Sequence, residues 1–491
     1  MVKISSISTA VAGAAMLALA ASMGAQAGEF DGVTVNIMTQ TGAIQEPLQR
    51  RAPEFEKLTG AKINIIAVPF SDLYQKVLTD WASGTNSVDA AVFAPQWMVD
   101  YVSGGYLEEL GPRIAKDKAI DWDQIGPFFR NFSATYNGKI YLVPLDGDFH
   151  MLYYRTDILE KAGLKPPKTW DEYLEVAKAV NGKEFDGTKV YGSCIAKKRN
   201  AQSYWFITDV TSSMVQSQGT SQGTFFDTKD MRPLIDNEAF RKALKFLKES
   251  GKYGPPDELN MDVSDTRPLF VSGKCALNLD WGDVGVIAID PKISKVIDKT
   301  GSVITPGSKE VLNWSSGKLE ACTKDTCPYA IDGVNHSPYA AFGGWSGGIN
   351  AKAKDKVKDA AYAFLSYMSQ PKQSDVDVTI GKSGFNPYRS TQFTYNDTWK
   401  DAGMSKVAGD SYLGAIKDSL DSPNMVLDLR IPQNQKYQQV VLDEAVARYL
   451  AGELDEDGTV KAVLDGWNDL NEQIGVENQL KFYKGSLGVK R

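Results

Sequence analysis

The sequence predicts an α/β fold divided between two lobes. Three observations support this. Residues 33–101 alternate strand and helix three times over. A second strand–helix succession follows at 138–180. The chain's 491 residues are ample for two separate cores. Alternation of this kind implies parallel strands joined by crossover helices.

The chain begins with a segment that reads as a secretory signal. Lys3 supplies a positive charge, residues 11–21 are apolar but too short to span a bilayer, and Ala25-Gln26-Ala27 fits a cleavage site. The mature chain is therefore expected to begin at Gly28. No cysteine stands at that site, which disfavours a lipid anchor, and no later stretch reads as a membrane span.

The first strand covers 33–39 (VTVNIMT) and stops at Gln40-Thr41-Gly42. A helix over 46–58 ends at Thr59-Gly60. A strand over 61–68, a helix from Ser71 to Trp81 and a strand over 88–93 complete the first alternation. Ligands in such sheets bind beyond the carboxyl ends of the strands. That rule selects Gln40 and Thr41 after the first strand, and Gln96 and Trp97 after the third.

Residues 140–144 form a short strand ended by proline. An acid-rich turn, 145–150 (LDGDFH), leads to a second apolar strand at 151–154. Asp157 reads as the cap of a helix closed by Gly163. Pro166-Pro167 breaks the chain, and Thr169 caps the next helix with Glu172 as its capping-box partner. Trp170, Tyr173, Leu174, Ala177 and Val180 recur at helical spacing. Further on, Tyr204-Trp205-Phe206 is an aromatic cluster, and 238–250 is an amphipathic helix. Residues 273–283 bring Gly273-Lys274-Cys275-Ala276-Leu277 to Asp280-Trp281-Gly282-Asp283.

Composition narrows the function classes. Lys+Arg is 54 against Asp+Glu 61, a net charge of −7. No basic patch accompanies it, so nucleic acid is not an expected partner. The densest basic run, Lys197-Lys198-Arg199, reads as a solvated loop. No G-x-S-x-G elbow, H-E-x-x-H helix or P-loop occurs. The only histidines are His150 and His336, which leaves little room for a Ser–His–Asp site. Asp455–Asp457 with Gly458 lacks the spacing of a calcium loop. No cofactor, metal or catalytic residue is expected. Four cysteines in an exported chain suggest disulfides, and three pairings are possible. Cys322 with Cys327, which closes the short loop CTKDTC, and hence Cys194 with Cys275, is the favoured set.

The order of pieces around 138–170 resembles the extracellular solute-binding proteins of ABC importers, in the carbohydrate-binding branch that includes maltose-binding protein. The residues that carry the likeness are Gly138-Lys139, Tyr141, Pro144, Tyr153-Tyr154, Leu159, Ala162-Gly163-Leu164 and Pro166-Pro167-Lys168-Thr169-Trp170. Phe55-Glu56, Ala82-Ser83-Gly84 and Trp97 extend it toward the N-terminus. Gly273 to Leu277, Tyr339 to Ile349, Ala360 to Met368 and Gly384 to Arg389 extend it toward the C-terminus. It covers most of the mature chain outside 182–222 and 301–335. The resemblance implies two lobes, each a mostly parallel sheet flanked by helices, with three hinge crossings near Leu145, Trp281 and Trp345. It divides the chain into a first lobe of 28–145 and 284–345, and a second of 146–283 and 346–491. It also implies a periplasmic monomer whose partners are a small solute and a membrane permease.

A sugar or polyol offers hydroxyls to carboxylates and amides, and C–H faces to aromatic rings. The expected hinge segments carry both types: Asp146 and Asp148 after one strand, Trp281 and Asp283 after another, and Trp345 in the third. Trp205 joins this set from the aromatic cluster. Arg389 could clamp an acidic group. The function these expectations describe is capture of a small carbohydrate or polyol by hinge closure. Another solute, such as a peptide or amine osmolyte, is the alternative. A secreted carbohydrate-active enzyme is a further one, although Asp146 and Asp148 stand too close together to flank a glycosidic bond.

Overall fold

A computed structural model describes residues 28–200, 202–340 and 343–488. The expected signal segment and its cleavage site lie outside the described residues. Among the described residues, no helix is long and apolar enough to cross a membrane.

In the first lobe, strands Thr34–Gln40, Lys62–Val68 and Ala90–Phe93 lie parallel, in the spatial order second, first, third. The helix Gln45–Thr59 carries the first crossover, and Gly60 ends it in the left-handed conformation at φ 77°, where glycine has no Cβ to clash. Its apolar face (Leu48, Ala52, Phe55) is buried, with Phe55 against the ring of Phe364. Two strands from later in the chain complete this sheet, and both run antiparallel to their neighbours. Ser346–Ile349 pairs with Ala90–Phe93, and Val143–Pro144 pairs with Ser346–Ile349.

The second sheet orders Tyr191–Cys194, Cys275–Trp281, His150–Arg155 and Thr300–Ile304. Its first pair is parallel; the others are antiparallel. The helix Ser203–Val215 is buried along its whole length, as expected of an element packed on all sides. Glu238–Ser250 packs Phe240, Ala243, Leu244 and Leu247 inward, with Asn237 capping the Phe240 amide at 2.9 Å. Thr169 accepts from the Glu172 amide at 3.1 Å, whereas the Glu172 carboxylate accepts from the Lys168 amide. Asp157 does not cap its helix; it pairs with Arg155 at 2.6 Å. Asp455 caps the helix Glu456–Ile474 through the Gly458 amide.

The lobe division differs from the expected one. Thr300–Ile304 belongs to the second sheet and Ser346–Ile349 to the first. The helix Asp355–Ser369 packs on the first-lobe helix and strands, whereas Lys406–Asp421 packs on Thr300–Ile304. Segment 284–340 is thus second-lobe structure, and residues from Trp345 to about Arg389 return to the first. The chain passes between lobes at 145–149, between Tyr339 and Trp345, and after Arg389. Trp281 is not a crossing: the short helix Asp283–Ile287 follows and the chain stays beside the second sheet. The physical reason is strand pairing. Val303 opposite Leu152 and Ser302 opposite Tyr153 close the edge of the second sheet, a long-range choice that the local pattern does not express.

Both favoured disulfides are present, Cys194–Cys275 and Cys322–Cys327. The first joins adjacent parallel strands 81 residues apart in sequence. The second pins the loop beyond the hairpin Glu310–Asn313 with Lys318–Ala321. The loop-closure relation gives about 4.5 kcal/mol for the long loop and about 2 kcal/mol for the short one. Replacing Cys194 and Cys275 by alanine should therefore lower stability in urea about twice as far as replacing Cys322 and Cys327. Equal losses would contradict this reading.

Candidate functional site: a cleft between two lobes

Two of the interlobe passages and the loop at Asn386 meet at one carboxylate. Asp146 is fully buried and accepts from the Trp345 amide at 3.1 Å and the Asn386 amide at 2.6 Å. The Asn386 side chain adds a third donor at 3.3 Å. Parallel to this, Leu145 donates to the Trp345 carbonyl and His150 to that of Tyr339. The segments approach so closely that a Cβ on Gly344 would sit 1.9 Å from the Asp146 carbonyl oxygen. Gly344 also has φ +81°, so glycine is needed there twice over. Asp146 was expected in the ligand site. The structure makes it a hinge pin instead, because its oxygens are taken by the backbone of Trp345 and Asn386.

Above this pin lies a cleft of about 590 Å³ between the lobes, within the range of small-ligand sites. Gln40, Thr41 and Phe70 line it from the first lobe, Trp345 from the hinge, and Trp205, Trp281, Asp148 and Asp283 from the other side. Four aromatic rings converge. Phe70 lies 5.7 Å from Trp205 and 6.0 Å from Trp345, and Trp205 meets Trp281 edge-on at 5.0 Å. The Phe70–Trp205 contact joins opposite lobes. Two of the indoles have a set direction: Trp281 Nε1 donates to Gln202 at 2.7 Å, and Trp205 Nε1 to Asp428 at 3.2 Å.

The floor is charged. Arg267 donates to Asp280 and to Asp283, the latter at 2.8 Å. Burial pulls the guanidinium pKa down, but Asp280 and Asp283 more than offset this and hold it above its ordinary value. Asp148 is buried beside Asp146 and shares a hydrogen bond with it; burial first, then the Asp146 and Asp283 charges, hold its carboxyl well above the usual range. Burial also raises Asp146, to about 7. The two carboxyls thus retain a proton in conditions where exposed ones lose it. Behind Trp281, His150 Nδ1 and Asp209 Oδ2 share a fully buried 2.6 Å hydrogen bond, and the His150 ring lies 3.7 Å from the Trp281 ring.

Three other expectations fail. Gln96 and Trp97 are buried and do not line the cleft; Phe70 covers Trp97 with ring centroids 5.4 Å apart. Arg389 is fully buried, and its guanidinium donates to the carbonyls of Ser369, Ile120 and Asp121. It ties the first lobe together and has no path to an acidic ligand. The sequence reading missed Phe70, Gln202 and Arg267, along with Lys198 and Arg199, which also line the cleft. The carboxyl-end rule, applied to Lys62–Val68, would have found Phe70. No local signal marks Arg267. Among the described residues, no group of His, Cys, Asp and Glu could hold a metal ion.

A hinged cleft of this build, with lining side chains drawn from both lobes, is the architecture of a solute-binding protein. Residues 38–375 match the family model described as "Bacterial extracellular solute-binding protein", and the chain belongs to that family. It is a family of binding proteins rather than enzymes. A probable amino-acid ABC transporter periplasmic-binding protein of Sinorhizobium fredii is 26% identical over 369 residues, 73% of each chain. The mannitol-binding protein of Pseudomonas aeruginosa is 24% identical over 338 residues, 68% of each. In fold, the chain is similar to an ABC transporter solute-binding protein of Agrobacterium radiobacter K84 solved with ribitol. The TM-score is 0.73 at 23% identity, with 90% of this chain and 99% of that one covered.

The Asp146–Asp148 pair gives a pH prediction. Folded-state values above the unfolded ones mean that the folded chain binds protons more tightly. The associated stability is full below the unfolded value near 3.8 and is lost as pH rises through about 7. The urea midpoint of the wild type should therefore fall more steeply between pH 4 and 7 than that of Asp148→Asn. Equal slopes would show that the pair is not the source.

Proposed function

We propose that this protein captures a small carbohydrate or polyol between its lobes and delivers it to the membrane permease of an ABC importer. The carrying observation is the pairing of four converging aromatic rings with carboxylates and a guanidinium in one interlobe cleft. Flat rings cover C–H faces, and Asp148, Asp283 and Arg267 offer both acceptors and donors to hydroxyls. The mannitol-binding and ribitol-bound relatives support the same ligand chemistry.

Binding works by hinge closure. A ligand that touches both walls stabilises the closed state by its differential affinity for it. Phe70 and Trp205 are the walls' meeting point. In this reading Gln40, Thr41, Asp148, Trp205, Trp281, Asp283 and Trp345 contact the ligand, the mature monomer starts after Ala27, and it acts in the periplasm. An amine osmolyte is the second reading, favoured by the aromatic wall and opposed by the Arg267 charge in the floor.

A thermal-shift screen of the mature protein against D-mannitol, ribitol, sugars, sugar acids, peptides and amine osmolytes tests this. A binder at about 100 times its dissociation constant adds ~2.7 kcal/mol to the native state. A response confined to amines or peptides would overturn the polyol reading. With the hit in hand, Trp281→Ala should weaken binding by about tenfold or more, a loss of ~1.4 kcal/mol, while the circular dichroism spectrum stays native. Unchanged affinity would remove Trp281 from the site.

A further inference from the structure

One segment links the ligand-facing wall to the opposite lobe without lining the cleft. It begins at Asn424, whose side-chain amide donates to the carbonyls of Gln216 and His336 at 3.0 Å. Val426 donates to the Pro338 carbonyl beside the hinge. These contacts anchor the segment on the second lobe.

Asp428 comes next and is buried. It accepts from Trp205 Nε1 at 3.2 Å, the Tyr339 hydroxyl at 2.7 Å, Gln438 Nε2 at 2.6 Å and the Leu429 amide at 2.8 Å. One carboxylate therefore holds an indole of the cleft wall and the tyrosine at the second interlobe passage. A carboxylate accepts at both oxygens, so an amide in its place would turn a donor toward one of these donors.

Two residues on, Arg430 reaches across to the first lobe. Its guanidinium donates to the carbonyls of Phe132 and Thr135, the latter at 2.6 Å. It also lies over the rings of Phe132 and Tyr136, at 5.2 and 5.7 Å. No carboxylate pairs with it among the described residues. Burial lowers its pKa to about 10. A cation removed from water against carbonyls and ring faces alone persists only where the geometry is closely held. The Gln433 amide then donates to both oxygens of Asp100 at 3.0 and 3.1 Å. Asp100 in turn accepts from Tyr74 at 2.9 Å, on the helix that carries Phe70.

We propose that residues 424–434 form a strap that couples lobe closure to the position of the Trp205 indole. Arg430 and the Gln433 amide hold the first lobe, and Asp428 holds the wall. Asp428 is a positioning residue: it sets where Trp205 points and touches no ligand. Closure and wall geometry are then one event, because the same eleven-residue strap must be seated for both.

The test uses the full mature chain with no ligand, so its outcome is independent of the ligand assignment. Hydrogen exchange followed by mass spectrometry reads the amides of 98–103 and those of Ile431, Gln433 and Asn434. The Trp205 indole N–H resonance, assigned with Trp205→Phe, reads the wall. Arg430→Met should speed exchange in both segments by about tenfold or more and shift the Trp205 resonance. Arg430→Lys keeps the charge but cannot span both carbonyls; it should move both readouts in the same direction by less. Asp428→Asn should shift the Trp205 resonance. If Arg430→Met fails to fold, Arg430→Lys decides. Unchanged exchange overturns the strap, and so does rapid exchange of the Gln433 amide in the wild type. Faster exchange with the Trp205 resonance unmoved overturns the coupling.

Discussion

Everything in this molecule turns on the Asp146 carboxylate. It is fully buried, and three donors converge on it, one from the Trp345 passage and two from Asn386. Burying a carboxyl is costly unless its lone pairs are satisfied. Here the donors that satisfy it are the backbone of Trp345 and the backbone and side chain of Asn386. The same bonds therefore solve two problems. They stabilise an acid in the interior, and they hold two chain passages and the Asn386 loop in one register. Gly344 makes that register possible, because any side chain there would overlap the Asp146 carbonyl. Asp148 follows two residues later on the same turn, and its place in the cleft is inherited from the pin.

The charge arrangement above the pin follows from the same confinement. Arg267 lies between Asp280 and Asp283, with Asp148 close enough to feel its field. One guanidinium cannot neutralise every carboxyl of this floor. Burial, with the neighbouring carboxylates adding to it, favours protonation, which is why Asp146 and Asp148 both titrate high. A protonated carboxyl can donate as well as accept. The floor thus presents donors and acceptors of both kinds to hydroxyl groups, with the aromatic rings excluding water around them.

Much of this was legible in the sequence, and the boundary is physical. The first-lobe alternation could be read because crossover helices and buried strands have distinct local periods. Thr169 as a cap and the short disulfide depend on neighbours in sequence, and both were readable. Trp281 and Asp283 reach the cleft because they stand at the end of a recognisable strand, and Trp345 because it stands immediately before one. Trp97 also follows a strand end, yet it is buried: Phe70 from the preceding helix, Phe70–Ala82, covers it. Arg389 could not be read either, since its partners are three carbonyls about 20 and about 270 residues away. The lobe assignment of 284–345 failed for a similar reason. Thr300–Ile304 finds its partner 150 residues upstream, and nothing local distinguishes an edge strand of one sheet from that of the other.

That correction changes what the hinge can do. With 284–340 in the second lobe, the strand Cys275–Trp281 does not leave the lobe at its end, so Trp281 is held on three sides. His150 packs behind it, Gln202 fixes its indole N–H, and Trp205 stands edge-on beside it. A residue on a flexible crossing would lose this definition with every opening. Trp345 stands at a true crossing, tied to Asp146 through its own amide. The cleft therefore combines a rigid wall on the second lobe with a ring at the pivot and a third, Phe70, on the lobe that moves toward them. On the proposed function, a ligand seated against Trp281 and Trp205 would meet Phe70 only with the lobes closed. That difference in contact between the two states is what hinge closure requires of a ligand.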